Sequence, residues 1–95
     1  MDLLTFKKSI SFENPPEGLI PLLLALWYDA KGDWEKSHDI ISEIHTTDAS
    51  RIHAYLHRKE GDIWNADYWY RRAGKEQKDI SLDHEWNELV EKLIA

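Results

Sequence analysis

The sequence predicts an all-α fold, and three observations carry that prediction. Apolar residues recur at i, i+3, i+4 and i+7 along most of the chain, the spacing of a helix face. Glycine followed by aspartate occurs twice, at Gly32-Asp33 and Gly61-Asp62, and each pair reads as a helix stop followed by a helix start. Four glycines and three prolines in 95 residues are too few for a loop-rich or disordered chain. A chain of this length forms a single domain, 1–95, with room for one small core.

Residues 1–20 read as an N-terminal arm and turn. Leu3, Phe6 and Ile10 share helical spacing, which fits a short helix or a packed arm over 1–12. Asn14-Pro15-Pro16-Glu17-Gly18 is a turn, because consecutive prolines fix φ and push the preceding residue out of the helical region. A helix starts near Pro21, where a missing N–H removes no intrahelical bond. It runs to Lys31 and buries Leu22, Leu23, Leu26, Trp27 and Ala30. Gly32 ends it in a left-handed cap, and Asp33 caps the next helix.

The second helix, Asp33 to His45, turns Trp34, Ser37, His38, Ile41 and Ile44 to one side. After a break at Thr46-Thr47-Asp48, a third helix runs from Asp48, as N-cap, to Glu60 and buries Ala49, Ile52, His53 and Leu56. The fourth, Asp62 to Arg72, places Ala66, Trp69, Tyr70 and Ala73 on one side and Trp64, Tyr68 and Arg71 on another, so it is aromatic beyond its core face. Gly74 ends it. A polar loop, Lys75 to Asp79, leads into a C-terminal capping segment, 80–95, whose helix from Ser81 to Ile94 carries the stripe Leu82, Trp86, Leu89, Val90 and Leu93.

The two Gly-Asp corners begin an internal repeat. Tyr28-Asp29-Ala30-Lys31-Gly32-Asp33-Trp34 aligns with His57-Arg58-Lys59-Glu60-Gly61-Asp62-Ile63 at a separation of 29 residues. A small residue, Ser37 or Ala66, follows each aspartate by four positions, where it lets the two helices of a hairpin approach closely. Over 21–73 the pattern resembles the tetratricopeptide-repeat helical hairpin, although that family's period is about 34 residues and its first-helix tryptophan, leucine and glycine are not all matched. The resemblance implies two antiparallel helical hairpins closed by a C-terminal capping helix, each burying its apolar face against its neighbour. The segments PPEGLIPLLLALWYDAKGDWEKSHDI and HAYLHRKEGDIWNADYWYRRAG also resemble a widespread group of small bacterial proteins, which implies a bacterial, cytoplasmic setting and adds no chemistry.

Composition narrows the function classes. The absence of cysteine removes disulfides, thiolate chemistry and cysteine-ligated zinc, and fits a reducing compartment. The opening stretch MDLLTFKKSISFENPP lacks a secretory apolar run, and no stretch reaches the length of a membrane span, so the cytoplasm is the expected location. The net charge of -6 opposes binding to nucleic acid or an anionic membrane. Between Arg51 and Lys78, however, seven basic residues face four acidic ones, so an acidic protein carries a locally basic centre. Five tryptophans are many for this length, and some are expected to face a partner.

The densest chemistry lies between His53 and Gly74. His53 and His57 are four apart on one helix, as metal-binding pairs are; Ala54 rather than glutamate follows the first, so the zinc-hydrolase motif is absent. A third ligand would come from Asp62, Asp67 or His38. The plainer reading makes His53 a packed core histidine and His57 a partly exposed one. Arg58, Lys59, Arg71 and Arg72 could gather round an anion, or pair with Glu60, Asp62 and Asp67. Tyr68-Trp69-Tyr70 beside arginines invites a nucleic-acid reading, but helical geometry splits the trio over different faces. Trp64 and Tyr68, one turn apart, are the better partner-facing pair, unless the C-terminal helix or N-terminal arm covers them. No nucleophile elbow or glycine-rich phosphate loop appears, and His57 with Asp62 could in principle form an acid-base pair, although proximity in sequence is not alignment in space.

The expected function is therefore a protein-interaction or assembly module, with a protein partner or self-association as a homodimer, using Trp64, Tyr68, Arg71, Arg72 and Arg58. The alternative is a His/Arg/aromatic pocket around residues 53–72, built on His53, His57 and Arg58, that binds a small anion, metal or metabolite, with or without catalysis, His53 and His57 being the metal ligands. No catalytic residue and no cofactor is assigned.

Overall fold

The computed structural model describes residues 1–77 and 79–94, and these are all-α: α1 (Leu3–Ser9), α2 (Pro21–Ala30), α3 (Trp34–Ser42), α4 (Thr47–Glu60), α5 (Ile63–Arg72) and α6 (Leu82–Leu93). Lys78, counted in the basic stretch, and Ala95 lie outside the described residues. No described helix is long and apolar enough to cross a membrane.

The two Gly-Asp corners are built alike. Gly32 and Gly61 both sit at φ +90°, a left-handed conformation that a Cβ disfavours. At the first corner Gly32 N–H bonds the Asp29 carbonyl and Asp33 N–H bonds that of Tyr28; at the second, Gly61 bonds Arg58 and Asp62 bonds His57. These paired bonds close a helix end as a Schellman motif. Each aspartate then caps the next helix, accepting from Lys36 N–H at 3.1 Å or Asn65 N–H at 3.2 Å. The chain reverses at both corners, so α2 packs mainly on α3 and α4 mainly on α5. Ser37 and Ala66 are fully buried.

The α4 start differs from expectation. Thr46, not Asp48, is the N-cap, its hydroxyl accepting from Ala49 N–H at 3.1 Å. This register leaves Asp48 in the first turn, where its charge favours the helix dipole and reaches Lys92 of α6 at 2.8 Å. In α2, Ala30 is exposed, while Ala25 and Asp29 are buried.

Residues 1–12 prove to be both helix and packed arm. Asp2 caps α1 by accepting from Thr5 N–H at 2.8 Å. Phe6 is fully buried against Trp86 of α6, ring centroids 5.8 Å apart, a burial worth about 2–3 kcal/mol. The Trp27 indole donates to the Ser9 carbonyl at 3.2 Å, and Lys31 Nζ donates to the carbonyls of Ile10 and Phe12. These bonds satisfy the end of α1 where no residue continues it.

The core joins Phe6, Leu26, Trp27, Ile41, Ile52, Leu56, Leu89 and Val90, with Trp86 at its edge. Its position follows from α6, which packs over α2, α4 and α1 rather than stacking outside α5. The outer side of α5 is consequently left to solvent.

Candidate functional site

α4 presents polar chemistry in two directions. At 100° per residue, His53 and His57 point one way while Tyr55, Arg58 and Lys59 point the other. The second group meets two buried carboxylates. Asp29, 2% exposed, accepts from the Tyr55 hydroxyl and from Lys59 Nζ, both at 2.9 Å. Glu85 of α6 accepts from Arg58 at 2.8 Å and from the Tyr70 hydroxyl at 2.6 Å. Arg58 also donates to the Ile80 carbonyl. Burial, followed by the facing carboxylates, pushes both tyrosine hydroxyls well above their ordinary range.

These bonds answer the question of the basic residues. Arg58 and Lys59 form no anion cradle with Arg71 and Arg72, nor do they pair with Glu60, Asp62 or Asp67; they lock α4 to α6 and α2. Arg71 and Arg72 are exposed. Asp29 and Glu85 were legible only as anomalies, single acids on apolar stripes: Glu85 follows Leu82 by three and precedes Leu89 by four.

The histidine face is different. His38 comes from α3, one turn after Trp34, and meets His53 and His57 of α4, so that one ring nitrogen of each lies within 4.8 Å of the others. His38 Nε2 and His53 Nε2 are 2.9 Å apart, with the rings nearly perpendicular at 83°. Two indoles fix the ring planes: Trp34 stacks on His38 at 4.9 Å and Trp69 on His53 at 3.8 Å between centroids. Trp34 is itself held by its N–H, which donates to the Leu56 carbonyl at 2.8 Å.

His57 is not partly exposed as expected. Both His53 and His57 are 7% exposed, because α3 lies over them. His57 Nδ1 donates to Glu60 Oε2 at 2.7 Å, so its carboxylate partner is Glu60 rather than Asp62, which is engaged in capping α5. Of the three possible third residues, His38 completes the histidine group, Asp62 belongs to a second, more exposed group with His57 and Glu60, and Asp67 belongs to neither. Burial, reinforced by His38 and His57, drives the His53 pKa from 6.5 down to about 3. His38 is lowered as well, by burial first and then by His57. A neutral imidazole with a lone pair is a metal ligand or a hydrogen-bond acceptor.

The outer face of α5 carries the remaining candidates. Trp64 is 81% exposed, with Ile63 at 47% and Tyr68 at 45% beside it; neither α6 nor the N-terminal arm covers them. Arg72 donates to the Tyr68 hydroxyl at 3.2 Å and lies 5.2 Å from the Trp69 ring centroid. The aromatic trio splits three ways: Tyr68 faces solvent, Trp69 stacks on His53, and Tyr70 is buried on Glu85. Comparisons with protein-family models, with curated proteins and with solved structures return no match.

Proposed function

We propose that this chain is a protein-interaction module whose contact surface is the outer face of α5. The carrying observation is Trp64, 81% exposed beside Ile63 and Tyr68, in a chain whose other four tryptophans are buried or half-buried. An indole in water is a standing cost that a partner's apolar recess would remove. Trp64, Tyr68, Arg71 and Arg72 fall on neighbouring turns, and tryptophan, tyrosine and arginine are the residues that dominate binding hot spots. The complementary surface is an apolar recess ringed by carboxylates. A second copy of this chain, acidic overall at -6, is the first occupant to test.

The tetratricopeptide likeness supports this reading, since such repeats serve to present extended contact faces. The two corners, closed by the same pair of backbone bonds at a 29-residue separation, favour it. A bacterial, cytoplasmic setting belongs to the same proposal, with the absence of cysteine in its favour.

Sedimentation velocity of the wild-type chain across a concentration series, combined with photo-crosslinking from a residue placed at position 63, tests the proposal. Concentration-dependent association, or a single reproducible crosslinked partner that re-forms from purified components, is expected. Trp64→Ala with Tyr68→Ala should abolish that association and leave the unfolding temperature within a degree or two. Association that survives both substitutions, or a wild-type chain that stays monomeric together with no reproducible crosslink from the labelled chain, overturns it.

A further inference from the structure

We propose that His38, His53 and His57 form a site for a divalent first-row transition metal, zinc being the reference ion, and that Glu60 holds His57 in the ligating tautomer. The site uses neither Trp64 nor Tyr68 and needs no partner at the α5 surface.

Among the described residues, His38 and His53 have no hydrogen-bond partner but each other's Nε2, at 2.9 Å. Two neutral imidazoles in that contact must take unlike tautomers, one donating and one accepting. A metal ion replaces this single bond with a bond to each nitrogen once the donating ring shifts its proton from Nε2 to Nδ1, so that both Nε2 atoms present lone pairs. In a tetrahedral zinc site, with Zn–N bonds of about 2.0–2.1 Å, neighbouring nitrogens lie about 3.3 Å apart. The His38 and His53 nitrogens need to separate by a few tenths of an ångström, and the third, already within 4.8 Å, needs to close in.

His57 supplies the arrangement that metal-bound histidines usually show. Its Nδ1–H is held by the Glu60 carboxylate at 2.7 Å, which leaves Nε2 as the nitrogen with a free lone pair. A carboxylate behind a ligating imidazole fixes its tautomer and raises its basicity. The stacked indoles of Trp34 and Trp69 pre-set the other two rings, so little side-chain freedom is lost on binding. Three imidazoles without a thiolate suit zinc, cobalt, nickel or copper rather than magnesium or calcium. Three protein ligands also leave a fourth position open to water or a small ligand.

The competing group, His57 with Glu60 and Asp62, shares one residue with this site. Both of its carboxylates are exposed, and Asp62 is already bonded to the Asn65 backbone and side chain. Hydrated, occupied carboxylates gain less from an ion than buried neutral imidazoles do.

The test uses the full chain stripped with a chelator and titrated with zinc or cobalt alone. Calorimetry should give one ion per chain, and cobalt should give the intense visible bands of a tetrahedral site. In nitrogen-detected imidazole spectra of the wild-type protein with zinc, the resonances of His38, His53 and His57 should move while those of His45 and His84 stay. His38→Gln and His53→Gln should each weaken binding by about a hundredfold or more, and Glu60→Gln by about 10–100-fold, with the His57 tautomer changing in that variant's spectra. Asp62→Asn should leave affinity unchanged. Glu60 lies near the surface, so its variant keeps the test valid if a histidine variant fails to fold. No stoichiometric binding, movement of His45 or His84 in place of the three, or loss of binding in Asp62→Asn with retention in His38→Gln overturns the assignment.

Discussion

Two polar clusters lie on opposite sides of α4, and they handle burial in opposite ways. Toward α6 and α2, each buried carboxylate receives a cation and a tyrosine hydroxyl: Glu85 meets Arg58 and Tyr70, Asp29 meets Lys59 and Tyr55. Charge is matched by charge, and every link joins two different helices. Toward α3, three imidazoles face one another, and burial keeps at least His53 neutral instead of matching it with an opposite charge. A matched cluster is complete within the chain and serves the architecture. An unmatched cluster of lone-pair donors has capacity left for a ligand.

The comparison breaks most readily at Glu85. Replacing it with alanine leaves the Arg58 guanidinium, whose side chain is only 15% exposed, with the Ile80 carbonyl but no counter-charge, and strands the Tyr70 hydroxyl. Removing one partner of a buried ion pair costs about 3–5 kcal/mol. Urea unfolding of Glu85→Ala should show a loss of that order, whereas a loss below about 1 kcal/mol would mean that water already reaches the pair. Glu85→Gln, which keeps an acceptor, should lose less.

Acid and alkali should separate the two clusters in the metal-free chain. The unfolded state binds a proton at His53 below about pH 6.5, while the folded state refuses it until about 3. Stability is therefore full above 6.5 and declines as the pH falls toward 3, by at most about 1.4 kcal/mol per pH unit for each such group. His38, also lowered, adds to this limb; His57, Asp39 and Glu60 are the titratable or charged groups that act on the pair. Tyr55 and Tyr70 act with the opposite sign. Their raised values mean that the folded chain keeps protons which the unfolded chain releases above about 10, so stability declines as the pH rises past that point. Denaturation midpoints across pH, with chelator present, should show both limbs. His53→Gln should flatten the acid one and Tyr70→Phe the alkaline one; a midpoint that does not change from neutrality down to the carboxylate range would remove the unmatched character of the histidines.

How far each cluster could be read in the sequence follows from the range of its contacts. The Gly-Asp corners were legible because both halves of the signal are local: a left-handed glycine and an aspartate capping three residues on. The helix order and the α6 stripe followed from the 3.6-residue period. His53 and His57 were visible as a pair for the same reason, but His38 joins them only because α3 packs on α4, 15 residues back, and it stood as one of three possibilities. Arg58 was recognised and given to the surface, since its partner lies 27 residues away on α6. The N-cap went to Asp48 because Thr46 and Asp48 are both good caps, and local chemistry does not choose between them. The packed state of residues 1–12 depends on Trp27 and Trp86, which no spacing within the arm encodes.

The corners on either side of the clusters give a smaller effect. A Cβ at Gly32 or Gly61 meets no atom within 4 Å, so alanine there carries only the backbone penalty of the left-handed region, about 1–2 kcal/mol. Gly61→Ala and Gly32→Ala should cost the same within error if the repeat is structural alone. Gly61 adjoins Glu60, so Gly61→Ala should in addition weaken zinc binding if the histidine site is real, and Gly32→Ala should not. Thermal unfolding and zinc calorimetry on the two variants make that comparison.

The smallest expected change in stability is at Trp64, and it bears on the α5 surface. Trp27 and Trp64 are chemically the same side chain in opposite situations. Trp27 is 1% exposed and bonded to Ser9, so Trp27→Ala should cost about 3–5 kcal/mol. Trp64, at 81% exposure, touches little of its own chain, and Trp64→Ala should stay within about 0.5 kcal/mol in the dilute monomer. The same variant should lose association at concentrations where the wild type assembles. A large stability loss in the dilute monomer would mean that the indole already has an intramolecular contact, and the outer face of α5 would then be part of the architecture rather than a surface offered to a partner.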